Sequence, residues 1–254
     1  MHSNFKQSSD SKAKTDFSVW KNKMSLSRRI GFILISYFTF FLSIAILCII
    51  FIPYADITLR IFNAIFILYL VPPLCARLLL IISPISLGIV TLTSNDFIKW
   101  WALFNMQVIF SRLPFLEEFL RMIPGIYGPW LRLWGSKIGR LTYWAPGLKI
   151  LDRSFLKIGD DVLFGADVRI NSHVMYEDEN KELVLALDYV TLGDRTMIGG
   201  YSLFTAGTII YPDQATRAVL CLPPFTHFKD GKRLKDDTKK ENPAYGTNPL
   251  QIHL

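Results

Sequence analysis

The chain has 254 residues, of which 51% are hydrophobic and 14% aromatic, and its formal net charge is +7. Residues 1–29 hold seven basic and two acidic side chains, which supply +5 of that charge. This distribution argues against a nucleic-acid surface, because aromatic residues do not interleave with the basic ones and a basic tail before an apolar run typically orients a membrane helix. Cys48, Cys75 and Cys221 have no metal-ligand spacing, so we expect reduced structural cysteines, a reducing compartment and no metal site.

Residues 1–29 are predicted to form a disordered basic tail, because their first 23 positions are polar and rich in Ser and Lys. Residues 31–52 are a run of 22 positions without a charge, which at about 1.5 Å per residue spans a hydrocarbon core of about 30 Å. The run is longer than the apolar part of a signal peptide and has no small-residue cleavage site, so a retained membrane span is expected. Arg28 and Arg29 place the N-terminus in the cytoplasm.

A second apolar segment covers residues 61–93, which completes a predicted transmembrane region at 30–93. Pro72, Pro73, Arg77 and Pro84 interrupt it, so two interpretations stay open. The preferred one is a kinked span to about Ile82 followed by an interfacial segment, and the other is a pair of half-helices that re-enter from one side. Snorkelling towards lipid headgroups is favoured for Arg77 over a functional charge within the membrane.

Residues 94–130 predict amphipathic helices. The first has a cap among residues 94–96 and ends near Leu113, and its tryptophans are expected at headgroup depth. The second covers residues 115–122 and is expected to turn Glu117, Glu118 and Arg121 towards water. Packing of such a helix on the end of the following domain is the alternative, and both arrangements can hold together.

Residues 131–224 carry a repeat of six residues. Its aliphatic or aromatic positions are Ile138, Trp144, Ile150, Ile158, Phe164, Ile170, Leu192, Ile198, Phe204 and Ile210. This period fits neither a helix nor an alternating strand, and it is typical of a solenoid that stacks short strands. We predict about four coils, with a two-residue insertion near Leu156, a third coil from Ala186 and a loss of the pattern after Ile210.

The repeat is interrupted by an extra segment, residues 175–185, between the second and third coils. An insertion into a solenoid loops out on one side, and such sides often bind ligands. The register puts Asn171 and His173 at corner and outer positions just before the loop. It puts Gly199, Gly200 and Tyr201 one coil later, as an open track below His173.

The motifs LRLWGSKIGR, KIGDDVLFGADVRINSHV and VTLGDRTMIGGYSLFTAGTII resemble the bacterial hexapeptide-repeat acyltransferases. The order of repeat, outward histidine and loop is similar to serine, maltose and xenobiotic acetyltransferases. A membrane-embedded version resembles the C-terminal regions of poly-lysine-synthetase-like peptide synthetases. The resemblance implies a mainly β fold, a left-handed parallel β-helix after transmembrane and amphipathic helices. It also implies a homotrimer with sites between subunits, and transfer of an acetyl, aminoacyl or other acyl group from an acyl-CoA or phosphopantetheine thioester without a tightly bound cofactor.

The resemblance also implies roles for single residues. His173, with Asn171 in an N-x-H pattern, becomes the general base, since the pKa of histidine lies near the working pH. The backbone N–H of Gly199 or Gly200 is a candidate oxyanion donor. The remaining candidates are Gly199, Gly200, Tyr201, Ala206, Gly207, Lys229 and Lys232 for the acyl donor, and Tyr176, Glu177 and Asp188 for the acceptor.

The chain departs from the family after Ile210, where Asp230 and Gly231 replace a G-x-P-A turn, and residues 225–254 are predicted to be a tail. The expected function is acyl transfer to a hydroxyl or amine at the cytoplasmic face of the bacterial inner membrane. The expected partners are the lipid bilayer and a carrier protein, or a peptide-synthetase or glycan assembly. The alternative is a non-catalytic, trimerising β-helix scaffold of a membrane assembly.

Overall fold

The computed structural model describes residues 25–178 and 182–235, and the predicted tails outside these ranges lie outside the described residues. The first helices are α1 (Leu26–Ser36), α2 (Phe38–Phe51) and α3 (Ile57–Ile82). Residues 26–29 therefore belong to α1, and their assignment to a disordered tail is wrong. Two stretches, Leu26–Phe51 and Ile57–Ile82, are long and apolar enough to cross a membrane.

Helix α3 continues through Pro72 and Pro73 as one element of 26 residues. The half-helix interpretation is therefore wrong, and the segment forms one helix to Ile82. That this helix is kinked and crosses a membrane stays a prediction. Arg77 donates a hydrogen bond of 2.7 Å to the carbonyl oxygen of Arg132. Its guanidinium thus binds protein backbone, where snorkelling towards headgroups was expected.

Three further helices follow: α4 (Asn95–Arg112), α5 (Phe115–Met122) and α6 (Tyr127–Leu133). The predicted cap of α4 is confirmed, because Ser94 Oγ accepts the N–H of Phe97 at 3.2 Å. Trp100 is only 2% exposed and packs inside the protein, so its predicted headgroup position is wrong. The orientation predicted for α5 is wrong as well, because the side chains of Glu117 and Arg121 are each only 4% exposed and turn towards the protein.

Fifteen short strands complete the described fold. They are β1 (Gly88–Thr91), β2 (Lys137–Ile138), β3 (Lys149–Ile150), β4 (Leu156–Ile158), β5 (Leu163–Phe164), β6 (Arg169–Asn171), β7 (His173–Glu177), β8 (Leu183–Leu187), β9 (Val190–Leu192), β10 (Met197–Ile198), β11 (Leu203–Thr205), β12 (Ile209–Ile210), β13 (Cys221–Leu222), β14 (Thr226–Lys229) and β15 (Lys232–Lys235). Most of them stack in parallel as the three faces of a coiled chain, in the orders β2-β4-β9-β12-β14, β5-β10 and β3-β6-β11-β13. The predicted solenoid of stacked strands is confirmed, and its left-handedness stays a prediction.

The strand register corrects the predicted coils. The third coil starts at Val190 on β9, whereas Ala186 lies on β8 and pairs with Val174. The pattern does not fade after Ile210, because Ile210 pairs with Phe228 and the stacking continues into β14. The six-residue spacing of apolar residues cannot be recognised in the sequence there, because the next interior position is occupied by the polar residue Thr216, which is 9% exposed.

The C-terminal segment and the interruption both form antiparallel strands. Asp230 and Gly231 make the turn of the β14–β15 hairpin, in which Lys229 pairs with Lys232, so the predicted tail from residue 225 begins as strand. The interruption is the β7–β8 hairpin, and β1 adds to the outer side of β8. Part of the segment predicted to lie at the membrane interface therefore joins the sheet that begins with His173.

Candidate active site

Asp152 and His173 come together because the repeat is broken twice at the same corner of the β-helix. The two-residue insertion follows Ile150, and the β7–β8 hairpin follows Ile170. Ile150 and Ile170 are neighbours on adjacent coils, and the N–H of Leu151 donates to the carbonyl oxygen of Ile170 at 3.0 Å. The two interruptions are thus stacked one above the other, and each supplies one titratable side chain.

The His173 and Asp152 side chains form a buried pair. Nδ1 of His173 lies 2.6 Å from Oδ2 of Asp152, and Nε1 of Trp100 donates to Oδ1 of the same carboxylate at 3.2 Å. The Asp152 side chain is fully buried, while that of His173 is 15% exposed. Nδ1 therefore carries the proton towards the carboxylate, and Nε2 has no hydrogen-bond partner within residues 25–178 and 182–235.

Helix α4 covers the imidazole with aromatic rings. The ring centroid of Trp100 lies 4.7 Å from that of His173, and the ring of Phe104 meets it edge-on at 5.6 Å. Burial under these rings lowers the pKa of His173, but the charge and hydrogen bond of Asp152 raise it more, so the net direction is upward. The pair is arranged to stabilise an imidazolium within an apolar setting.

A second buried network holds this corner against the helices. Arg153, next to Asp152 in sequence, donates from Nε to Glu117 Oε1 at 2.6 Å and from its guanidinium to Gln107 Oε1 at 3.1 Å. The hydroxyl of Tyr127 donates to Glu117 Oε2 at 2.5 Å. Burial and the Glu117 charge raise the pKa of Tyr127, so this hydroxyl stays protonated. The network joins α4, α5 and α6 to the loop that carries Asp152.

The residues predicted for the acceptor lie along the hairpin. Asp188 is next to its base, where its N–H bonds Ser172 and its carboxylate accepts the N–H of Tyr189 at 2.7 Å. Glu177 pairs with Leu183 at the opposite end of β7, four residues from His173. Asp152, and neither Asp188 nor Glu177, is the residue that orients the imidazole.

Two other predicted residues make no bond to the pair. Tyr176 is half-buried and packs on the cluster of Ala186, Ala206 and Phe225. Asn171 remains in the face of the β-helix, where it pairs with Thr205. Within residues 25–178 and 182–235 neither of the two makes a polar contact with His173, so the predicted Asn-His partnership is replaced by the Asp152–His173 pair.

The predicted glycine track lies at a different corner. Gly199, Gly200 and Tyr201 follow β10, whose coil neighbour is β5, and the N–H of Gly199 already donates to Thr216 Oγ1 at 2.9 Å. Their predicted place below His173, and an oxyanion role for Gly199, are therefore wrong. The error comes from the coil assignment, since the true neighbour of Asn171 one coil later is Thr205.

The other donor candidates are divided between the interior and the last hairpin. Ala206 and Gly207 are at the His173 corner but buried, and a Cβ on Gly207 would overlap the ring of Phe225, so they offer no open surface. Lys229 and Lys232 are exposed on the β14–β15 hairpin, where Nζ of Lys229 lies 5.5 Å from the ring centroid of Tyr211. A phosphate contact by these lysines stays a prediction.

Two residues of the site were missed. The two-residue insertion after Ile150 was a signal for Asp152, because a break in the repeat frees a side chain from the regular stacking. Trp100 gave no local signal, since its contact with the pair depends on how α4 packs across the β-helix.

The chain is similar to a hexapeptide-repeat containing acetyltransferase from Vibrio cholerae, with 14% identity over 51% of this chain and 90% of that chain and a TM-score of 0.31. It is also similar to a maltose O-acetyltransferase from Clostridium difficile 630, with 16% identity over 54% and 89% and a TM-score of 0.27. No family model matches the chain, and no curated protein matches it.

Proposed function

We propose that this protein is a membrane-anchored acyltransferase in which His173 is the general base. The observation that carries the proposal is the buried Asp152–His173 pair, with Nδ1 bonded to the carboxylate at 2.6 Å and Nε2 left without a described partner. A carboxylate at Nδ1 fixes the tautomer in which Nε2 accepts a proton, and it stabilises the imidazolium that results. An imidazole whose Nδ1 is bonded to a carboxylate and whose Nε2 can accept a proton, 15% exposed under an apolar cover, fits proton abstraction better than a role in packing alone.

The reaction consists of one acyl transfer. Nε2 takes the proton from an acceptor hydroxyl or amine as its oxygen or nitrogen attacks the carbonyl carbon of a thioester. The tetrahedral intermediate collapses, the C–S bond breaks, and the imidazolium returns its proton to the leaving thiolate. The products are an ester or amide and a free thiol, from an acyl-CoA or a carrier-protein phosphopantetheine. Asp152 stays ionised throughout and holds the imidazole in place.

The two apolar helical stretches support anchoring in a membrane, because each has 26 residues and about 20 are enough to span one. We place the N-terminus and the acyltransferase domain on the cytoplasmic face of a bacterial inner membrane, since the basic residues precede the first stretch. An anchored enzyme fits acceptors that are lipid-linked or held on a membrane assembly, such as glycan precursors or carrier-bound peptides. We also propose that the protein forms a homotrimer.

The test is thiol release by the purified full chain in detergent, with acetyl-CoA, longer acyl-CoAs and acyl-carrier thioesters against sugar and amine acceptors. His173→Gln is expected to lower turnover by roughly 10² to 10⁴, the usual contribution of a general base. His227→Gln is the matched control, because His227 lies on β14 at the far end of the β-helix. Full turnover in His173→Gln would refute the proposed base, and no turnover with any donor would favour a scaffold.

A further inference from the structure

One corner of the β-helix differs in chemistry between the first coil and the later ones. Leu141, Asp161, Arg195 and Asp213 occupy equivalent positions, because Tyr143, Leu163, Met197 and Ala215 align two residues later in each coil. All four have positive φ, between 53° and 60°. Three coils thus place a charged residue at this exposed turn, and the first coil places a leucine that is 82% exposed.

The flanking residues follow the same division. Arg140 in the first coil corresponds to Asp160 and Asp194 in the second and third, since the stacked turns share the same backbone hydrogen bonds. Tyr143 is 58% exposed beside it. An arginine, an exposed leucine and a tyrosine are the residues found at the boundary between water and lipid, whereas the later corners carry aspartates and the Arg195–Asp213 ion pair.

Helix α5 presents a matching apolar surface next to this corner. Glu117 and Arg121 turn inwards, and apolar residues turn outwards at helical spacing, with Phe115 53%, Phe119 58% and Met122 74% exposed. Ile123 and Ile126 continue the surface at 54% and 41% exposed. We call residues 115–126 together with residues 140–143 the first-coil surface.

A cavity of about 550 Å³ opens within the first-coil surface, between the loop before α6 and residues 138–144. Three arginines and no carboxylates line it. Arg121 is neutralised by Glu117 and Glu118, but Arg132 and Arg140 form no ion pair within residues 25–178 and 182–235.

The two unpaired arginines differ in how firmly they are held. Arg132 is fixed by bonds from Nε and one terminal nitrogen to the carbonyl oxygens of Ile138 and Gly139, at 2.9 and 3.2 Å. Arg140 is exposed and also lines the cavity, and its backbone N–H donates to Asp160 Oδ1 at 2.6 Å. The cavity therefore offers two cations to a ligand, one of them held in place.

We propose that the first-coil surface lies on an anionic membrane leaflet and that its cavity receives the phosphate of a lipid headgroup, bound by Arg132 and Arg140. Lipid is the occupant that fits, because the surface adjoins a candidate membrane helix. Arg77 of α3 bonds the backbone of Arg132, and the hydroxyl of Tyr69 donates to the carbonyl oxygen of Leu116 on α5 at 2.8 Å. The inference rests on the proposed membrane anchoring and is independent of acyl transfer.

The contact is tested with the full chain in nanodiscs of phosphatidylglycerol and phosphatidylcholine, after replacement of its three cysteines by serine. A fluorophore on Leu141→Cys is expected to be quenched by a nitroxide on the lipid headgroup. The same label on Asp213→Cys, the equivalent position three coils later and so about 14 Å further along the β-helix, is expected to remain bright. Equal quenching at both sites would overturn the proposal. Shielding of the residue-141 label in lipid-free detergent, with concentration-dependent association, would assign the surface to a second copy and overturn it too.

The headgroup chemistry is tested by the ratio of phosphatidylglycerol to phosphatidylcholine that co-purifies with the protein. We expect about a fivefold lower ratio for each of Arg132→Gln and Arg140→Gln, the usual effect of one basic residue near an anionic surface. Arg195→Gln, the same change on the third coil, should leave the ratio unchanged. An unchanged ratio in the double variant, or displacement of the lipid by inorganic phosphate, would overturn a lipid-phosphate site. His173→Gln should keep both lipid readouts, so failure here is distinct from failure of the proposed transfer.

Discussion

The regular corners and the interrupted corner of this β-helix serve different purposes. At the regular corners the coils touch through backbone, and a Cβ on Gly139 would overlap the carbonyl oxygen of Gly159 on the next coil. Where the coils approach this closely, no side chain fits between them. At the interrupted corner the chain leaves the stack after Ile150 and again after Ile170, and Asp152 and His173 meet in the space this creates. The repeat builds the scaffold, and the breaks in the repeat build the site.

The two kinds of corner also differ in what covers them. The interrupted corner is closed by α4 and tied to α5 and α6 through Arg153 and Glu117, so it needs the helical part of the chain. The β-helix alone would expose the imidazole and lose the indole donor to Asp152. We therefore expect changes at the interrupted corner to alter both stability and catalysis, and changes at regular surface corners to alter neither.

The largest effect in this comparison is expected from Arg153→Met. Arg153 is only 1% exposed and bonds Glu117 and Gln107, so its loss leaves a buried carboxylate short of a partner. Breaking a buried ion pair costs about 3 kcal/mol, which lowers the Tm of a chain of this size by roughly 6–12 °C. Arg169→Met is the control, because Arg169 is exposed on β6. The Tm of both variants is measured in the same detergent. An equal lowering of the Tm in the two variants would contradict a stabilising role for the buried Arg153 network.

Asp152→Asn is expected to lower the maximum turnover on the order of 10²-fold, since the imidazolium loses its compensating charge. In the proposed reaction His173 acts as a base in its neutral form, so turnover is expected to fall as pH drops through its pKa. Asp152 raises that pKa above its ordinary value, and its removal leaves the lowering by burial. The acid limb of the pH–rate profile should therefore move to lower pH. An unmoved limb, with only a smaller plateau, would mean that the carboxylate is structural.

The sequence predicted the stacked coils and His173 because six-residue spacing and an interruption are local signals. The continuation beyond Ile210 was missed because Thr216 interrupts the apolar spacing while keeping an interior position. The wrong coil assignment followed from counting Ala186 as a ladder residue, although it pairs across the β7–β8 hairpin. Asp152, Trp100 and the inward face of α5 depend on how distant elements pack, and no local pattern contains that information.

Trp100→Phe is expected to have a smaller effect, about a tenfold loss of turnover. Phenylalanine keeps the apolar cover over His173 but removes the N–H that bonds Asp152 at 3.2 Å, a contact worth roughly tenfold or more for a charged acceptor. The less stabilised carboxylate then interacts more strongly with the imidazolium and raises the pKa of His173. The acid limb should move to higher pH, opposite to the shift in Asp152→Asn. Shifts in the same direction in the two variants would contradict the chain from Trp100 through Asp152 to His173.

The smallest effect is expected at Tyr201, which was predicted to line the donor track and lies at a regular corner. Its side chain is 66% exposed, and its backbone has a positive φ of 57° that asparagine adopts readily. Tyr201→Asn should therefore leave turnover and the KM for the thioester unchanged within about twofold, because no contact within the described residues links this corner to His173. Tyr176→Phe and Tyr176→Asn at the interrupted corner provide the contrast, measured with the same donor. A raised KM in Tyr201→Asn alone would indicate that the thioester donor binds at the regular corner, away from the proposed base, and would contradict this prediction.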